Sequence, residues 1–417
     1  MRTHRSLAVA LVVLCLPAVS GADPDTVIEA RAQAVLAGRP DARDGEIHTI
    51  APLLALVSLR ATGATAPGFD DIRVVLSLWG QVDPAEPRDD KHVDGDVDLA
   101  YLEGEGFRGR LRLRFGRQLL LGGAARATPF DGLWADARIV KGLGVSAQAG
   151  LPVTPRFSID RGDVLWGGRV YYRHSVDAEV GASYFHSLDD GRVARFDLGV
   201  DARWVPAPRW LVGGNLVYSA EEARVAEAQV YAAYDASAKV RVAIDANRTA
   251  PDLFLPRSSI LSVFSDETRD EAGATVTYRP QRAVRLEGDG RVIHIEDGFG
   301  GRASLRAEYR LDDATVGAEA RGLKLPGDGY LNPRIFGKLM TGARSTATAD
   351  LGLYALDRPF NGSHVSVQGT VTWGIQLDDG WRVVASGLAG SDPLYRRRFE
   401  AMLRIAKDFV WITRRGQ

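Results

Sequence analysis

The stretch FRGRLRLRFGRQ, residues 107–118, decides how this chain is read. In an extended backbone successive side chains point to opposite faces. Arg108, Arg110, Arg112 and Arg114 then line one face, and Phe107, Leu111, Leu113 and Phe115 line the other. No soluble sheet readily buries both. An apolar face against lipid and a guanidinium row against water describe a transmembrane barrel strand seen from its two sides.

The same division recurs along the chain. Phe196, Leu198, Val200, Ala202 and Trp204 alternate with Asp197, Gly199, Asp201 and Arg203, and similar alternation runs through 226–235, 240–247, 284–292, 302–310 and 365–376. One such stretch also fits a half-buried soluble strand, but many in succession with charge on the polar phase point to a barrel. Connections alternate between short ones, near 103–106, 140–141, 174–175, 205–208 and 236–238, and longer ones, near 83–93, 118–130, 152–163, 186–192, 248–268, 294–299, 323–329 and 357–362. Trp204, Trp210, Tyr278, Trp373 and Trp381 fall beside short turns, as ring anchors at a membrane interface do. The expected fold is therefore all-β: a single transmembrane, antiparallel, up-and-down β-barrel of about 20 strands (range about 18–22), with short periplasmic turns and longer extracellular loops. Residues 46–60 make one strand too many for both chain ends to finish on the periplasmic side.

Composition agrees with a continuous sheet. Lys+Arg number 52 and Asp+Glu 53, with no charged tail, which argues against a nucleic-acid footprint. Arg2 and Arg5, the apolar residues 7–16 and the small residues Ser20, Gly21 and Ala22 read as a secretory signal over 1–22, cleaved after Ala22. The one cysteine, Cys15, lies within it, so the mature chain is expected to carry no thiol. Residues 24–38 read as a short helix in a periplasmic segment 23–45; the barrel is expected over 46–410 and a tail over 411–417. Outside the signal no apolar run reaches the roughly 18 residues of a spanning helix.

The lumen-facing phase supplies the candidate site. Arg108, Arg110, Arg112, Arg114, Arg285, Arg291, Arg302 and Arg306 are the candidate selectivity residues; Asp197, Asp201, Glu227, Asp245, Glu287, Asp289 and Glu308 are their acidic partners. Guanidinium groups stay charged and pair with carboxylate or phosphate through two donors, so such a lining favours anions. Cross-strand pairing with the acids would instead make a network that stiffens the wall. The connection 248–268 carries Phe254, Ile260 and Phe264, too apolar for a solvated loop, and is expected to fold into the mouth as a constriction. No nucleophile motif or metal-ligand spacing appears. His294 with Glu296, and Ser363 with His364, are isolated pairs, so no enzyme, cofactor or metal is expected.

The segment LRLRFGRQ, residues 111–118, followed by FDGL, residues 130–133, resembles the early strands of alginate-export-type outer-membrane proteins and related large bacterial porins. The resemblance implies a monomeric barrel with an arginine-bearing lumen, with Arg108, Arg110, Arg112 and Arg114 as counterparts of a selectivity surface. The expectation is thus an outer-membrane porin-like channel of a Gram-negative bacterium for a polar, anionic solute or polysaccharide. It would contact outer-membrane lipid and, during biogenesis, the barrel-assembly machinery. The alternative is a structural or envelope-interaction barrel whose lumen is closed by its own charge network.

Overall fold

The computed structural model describes residues 26–43, 46–84, 93–153, 163–253, 267–391 and 397–413. The expected signal segment 1–22 and the side chains of Phe254, Ile260 and Phe264 lie outside them. The strands run β1 (Thr26–Arg43), β2 (Glu46–Ile50), β3 (Leu53–Ala66), β4 (Phe69–Val82), β5 (Val93–Gly106), β6 (Leu111–Leu120), β7 (Thr128–Val140) and β8 (Leu143–Pro152). They continue as β9 (Val164–Ser175), β10 (Ala178–Asp189), β11 (Arg192–Trp204), β12 (Trp210–Ser219), β13 (Arg224–Asp235), β14 (Val240–Thr249), β15 (Arg269–Gln281) and β16 (Val284–Ile295). The last seven are β17 (Gly298–Arg310), β18 (Ala314–Leu325), β19 (Asp328–Gly342), β20 (Ser345–Phe360), β21 (Ser363–Gln376), β22 (Trp381–Ser391) and β23 (Arg398–Thr413).

Each strand from β3 to β23 pairs antiparallel with the next, and β1 pairs with both β23 and β3, closing a barrel of 22 strands. The short strand β2 extends β3 beyond a break at Ala51 and Pro52 and pairs with the end of β1.

β1 corrects the expected helix over 24–38. Its Ala, Glu and Arg content favours a helix by only a few tenths of a kcal/mol per residue. Without it, however, β3 and β23 would each leave a row of backbone donors and acceptors unpaired, and each such group buried without a partner costs several kcal/mol. Sheet closure outweighs local propensity. Within β1, Glu29, Arg31 and Gln33 share a face, and Arg31 Nε donates to Asp408 on β23 at 2.6 Å. With β1 counted, residues 46–60 cease to be supernumerary, and Thr26 lies opposite Thr413 at the same barrel end. Among the described residues the barrel thus includes 26–43, expected to be a periplasmic segment, and 411–413, expected to be a tail.

Short turns at 67–68, 107–110, 141–142, 176–177, 205–209 and 282–283 share that end. At the other end the expected asymmetry holds only in part. Connections 83–92, 121–127, 153–163 and 250–268 are long, whereas 190–191, 296–297, 326–327 and 361–362 are two-residue turns between long strands.

The outer face carries the apolar phase: Leu198, Val200, Leu305, Ile335 and Val371 are all at least 45% exposed. In water that surface would be an aggregation site; in a bilayer it is solvated by acyl chains. Rings mark both of its margins. Trp210 stacks on Tyr234 at 4.4 Å at the turn end, and Trp166 stacks on His186 at 4.3 Å at the loop end, where Trp166 Nε1 also donates to the Tyr184 hydroxyl at 2.7 Å.

Candidate functional site

Arg108, Arg110, Arg112 and Arg114 do not form one row in the structure. Phe107, Arg108 and Gly109 have φ of 53°, 58° and 74°, three consecutive left-handed residues that no strand accommodates. They form the turn from β5 to β6, closed by the Arg110 N–H donating to the Phe107 carbonyl at 3.4 Å and the Arg108 N–H to Asp70 at 2.9 Å. Arg108 and Arg110 are exposed at the turn end, so they are not part of a lumen row. Alternation alone misassigned them, because a turn can continue the in-and-out rhythm of residue types for a few positions.

Arg112 and Arg114 do lie on β6, and each faces a carboxylate on β5. Arg112 Nη2 is 3.6 Å from Glu105, and Arg114 donates to Glu103 at 2.6 Å while its guanidinium covers the Tyr101 ring at 4.7 Å. Glu103 is buried, so its charge depends on that partner.

The remaining candidates form a cross-strand ladder. Arg291 bridges Asp245 at 2.5 Å and Asp289 at 3.2 Å; Arg302 approaches Asp289 at 3.9 Å; Arg285 meets Glu287 at 2.5 Å. Arg306 joins Glu308 on its own strand and reaches Glu319 on β18 at 3.8 Å. Asp201 pairs with Arg169, Asp197 with Arg195 at 2.7 Å, and Glu227 with Arg126 at 3.1 Å. Every acidic candidate thus has an arginine within reach.

Three of those arginines, Arg126, Arg169 and Arg195, were not among the sequence candidates, and Arg126 marks the feature that sequence reasoning placed elsewhere. The connection 121–127 turns inward through a single 3₁₀ turn, Gly123–Ala125, and reaches across to β10, β11 and β12. The Ala124 N–H donates to Ser183 Oγ at 2.8 Å, and Arg195 Nη2 donates to the Ala124 carbonyl at 3.1 Å. Beneath the loop lies an apolar cluster inside the barrel: Leu120, Ala124, Ala125, Phe130, Leu165 and Phe185, with Trp134 against it. Phe130 and Phe185 are 0% and 1% exposed although they point inward, opposite to the polar-in rule. The signal was present in LGGAARA, residues 121–127, where Arg126 is the one polar side chain, a lower share than in the 248–268 connection expected to enter the mouth. Of the latter, Leu253 packs with Ala250 and Ala226 in a small buried cluster.

Gly123 and Ala124 permit this close approach; a Cβ on Gly123 would meet Ser183 Oγ at 2.8 Å, and its φ of 59° favours glycine as well. The loop therefore holds Arg126 in the lumen. Burial, and then the neighbouring charge of Arg195, lower the Arg126 guanidinium to about 10 against the partial offset of Asp197 and Glu227. A cavity of about 880 Å³ runs from the loop down the β9–β13 wall to Val176 and Asp177 at the turn end, lined on the way by Arg169, Glu179, Asp201 and Glu227.

His294 and Glu296 do not share a strand face: His294 stands on β16, 4.6 Å from the Phe299 ring, whereas Glu296 lies in the following turn. Ser363 Oγ accepts from Val365, and His364 Nδ1 lies 3.1 Å from the Leu356 carbonyl, so that pair makes no catalytic contact.

No protein-family model and no curated protein matches the chain. Among solved structures it is similar to the P pilus usher (PapC) translocation pore, at 9% identity and a TM-score of 0.45, covering 92% of this chain and 99% of that one. It is also similar to the outer membrane protein OpdK of Pseudomonas aeruginosa, at 11% identity and a TM-score of 0.42, over 93% and 99% of the two chains. For OccK9 (OpdG) of the same organism the identity is 11% and the TM-score 0.48, over 93% and 98%. These are likenesses of large outer-membrane barrels, and none of them connects the chain to the alginate-export-type proteins that its 111–118 and 130–133 motifs resemble.

Proposed function

We propose that the chain is an outer-membrane channel through which polar solutes diffuse, with a preference for anions set where the inward loop narrows the lumen. The observation that carries this reading is the seating of Arg126 beside Arg195 inside the barrel. Each is paired with one carboxylate, Arg126 with Glu227 and Arg195 with the buried Asp197, so the preference rests on two guanidinium groups able to pair with a passing anion in a partly desolvated place rather than on uncompensated charge. The lipid-facing outer phase and the two aromatic margins support the outer membrane as its location, and closure of the sheet within one chain supports action as a monomer.

The preference is measured as the reversal potential of the purified protein in a planar bilayer under a salt gradient. Anion selectivity that falls when Arg126 and Arg195 are both changed to Gln supports the reading; cation selectivity in the unaltered protein would overturn it. A second reading, a barrel closed by its own contents, is favoured by the apolar cluster under the loop and by the paired ladder. It predicts conductance indistinguishable from the bare bilayer.

A further inference from the structure

Beyond the ladder the lumen wall changes chemistry. The inward face of β21 carries Ser366, Gln368, Thr370, Thr372 and Gln376, without one charge. Its neighbours continue the pattern: Thr348 lies opposite Thr372 on one side and Ser386 on the other. Where this hydroxyl and amide lane meets the last rungs of the ladder, at mid-height on β18–β21, the wall opens into a cavity of about 370 Å³, within the range of about 300–1,000 Å³ typical of small-molecule sites.

Glu319 stands at its edge with its side chain 7% exposed. One carboxylate oxygen accepts from Arg321 at 2.7 Å; the other, Oε2, is buried with no hydrogen bond, and Arg306 and Arg334 stand off at 3.8 Å each. Arg334 is committed to Asp350, donating from Nε at 2.6 Å. The cluster is electrically closed: Arg306, Arg321 and Arg334 face Glu308, Glu319 and Asp350, so an ion of either sign finds no uncompensated charge there.

What the cavity does present is an acceptor without a donor and several neutral polar groups. Asn332 gives its amide N–H to the Leu353 carbonyl at 2.9 Å, which leaves its oxygen as an acceptor. Gln368 and Thr370 line the cavity, and their side chains have no protein hydrogen-bond partner among the described residues. Tyr354, 39% exposed and 5.7 Å from the Tyr330 ring, supplies an apolar face.

We infer that this cavity is a subsite for a neutral polyhydroxylated solute of the sugar class. A hydroxyl is both donor and acceptor, so one group can give its hydrogen to Glu319 Oε2 while others exchange with Gln368, Thr370 and Asn332. The C–H face of a pyranose ring suits the Tyr354 ring, as apolar bodies with polar edges do. An anion would meet the same buried carboxylate oxygen and be turned away, which separates this subsite from the Arg126 constriction. The channel reading is needed only for access to the site from both membrane sides, and binding itself is tested without it.

The experiment is saturation-transfer NMR on the detergent-purified full chain with maltose as probe, and with glucuronate and a polyethylene glycol of similar mass as comparisons. Maltose is expected to take up saturation well above both comparisons. Gln368→Ala combined with Thr370→Val breaks no ion pair and is expected to weaken maltose about tenfold, the equivalent of one or two hydrogen bonds. Glu319→Gln should do the same, read only if the heat-modifiable gel mobility of the folded barrel is kept; Arg126→Gln should leave maltose unchanged. Maltose no better than polyethylene glycol, glucuronate as good as maltose, or a double variant that binds like the unaltered protein would each overturn the subsite. Zero bilayer conductance with maltose binding intact would remove the channel reading alone.

Discussion

Two stretches of one wall, built by the same alternation of strands, enclose different interiors. From β6 to β13 the inward face is covered: Phe130, Phe185 and Leu165 are buried, and Asp197 with them, because a seven-residue connection folds over them. From β17 to β22 the inward face carries ion pairs and then hydroxyls, and apart from glycines only Glu319 and Asn332 are buried there among the described residues. Strand phase assigns a side chain to the inside in both cases. Whether inside means water or a packed core is set by what a loop elsewhere in the chain does.

The largest break in that contrast should come from removing the cover. Replacing residues 122–126 by a short glycine linker would open the lumen beside β9–β13 and is expected to raise single-channel conductance roughly twofold or more, the size change a widened constriction produces. Unchanged conductance would place the narrowest point elsewhere. Packing beneath the loop is tested by Phe185→Ala, a truncation with a cost of about 3–5 kcal/mol at a fully buried ring. A drop in the temperature at which the folded gel band is lost should follow, and the same truncation at Phe336 on the open wall should cost clearly less.

Arg114→Ala comes next. It leaves Glu103 buried and without its closest donor; Arg73, at 3.3 Å, is the partner that remains. Losing a buried partner costs up to about 3–5 kcal/mol, and the remaining contact should hold the effect toward the lower end. A smaller effect belongs to the Arg126 proton. Its folded value, about 10, lies below that of a free guanidinium, so between those two values the unfolded chain binds the more protons. Stability therefore gains as pH rises through that window, while anion preference fades as the charge is lost. Reversal potentials at pH 8 and pH 10.5 check the second half of this, and Arg126→Gln should abolish the difference. The smallest effect is expected from Arg110→Ala in the exposed turn, within about 0.5 kcal/mol of the unaltered protein and with unchanged selectivity. A selectivity shift there would restore the row of four arginines that the turn at 107–110 divides.

The comparison also explains where sequence reading succeeded. Leu198, Val200 and their counterparts were assignable because one face of each strand lies on the outside of the barrel and is apolar throughout, and only a strict period of two keeps it so along a whole strand. The paired acids Asp245, Glu287, Asp289 and Glu308 were assignable for the same reason. Arg126 was not, since a loop has no period and its landing place depends on Ser183 and Arg195, which stand 59 and 71 residues beyond Ala124; Arg195 itself shares the inward phase of Asp197 on β11 and was missed although alternation could have found it. β1 was misread because an Ala, Glu and Arg stretch satisfies helical spacing locally, and nothing local reports that two distant edges are waiting to be joined.

By itself, then, the amino-acid order determined an apolar outward and a polar inward phase, the short connections at one end, and a closed all-β architecture, because those follow from backbone pairing and from the period of a strand. Tertiary structure alone decided which strand seals the barrel, that Arg108 and Arg110 belong to a turn, and which connection enters the lumen. Those outcomes depend on energies shared between segments far apart in the chain: two backbone edges gain by pairing with the strand that joins them, and an apolar patch inside the barrel cannot be left wet.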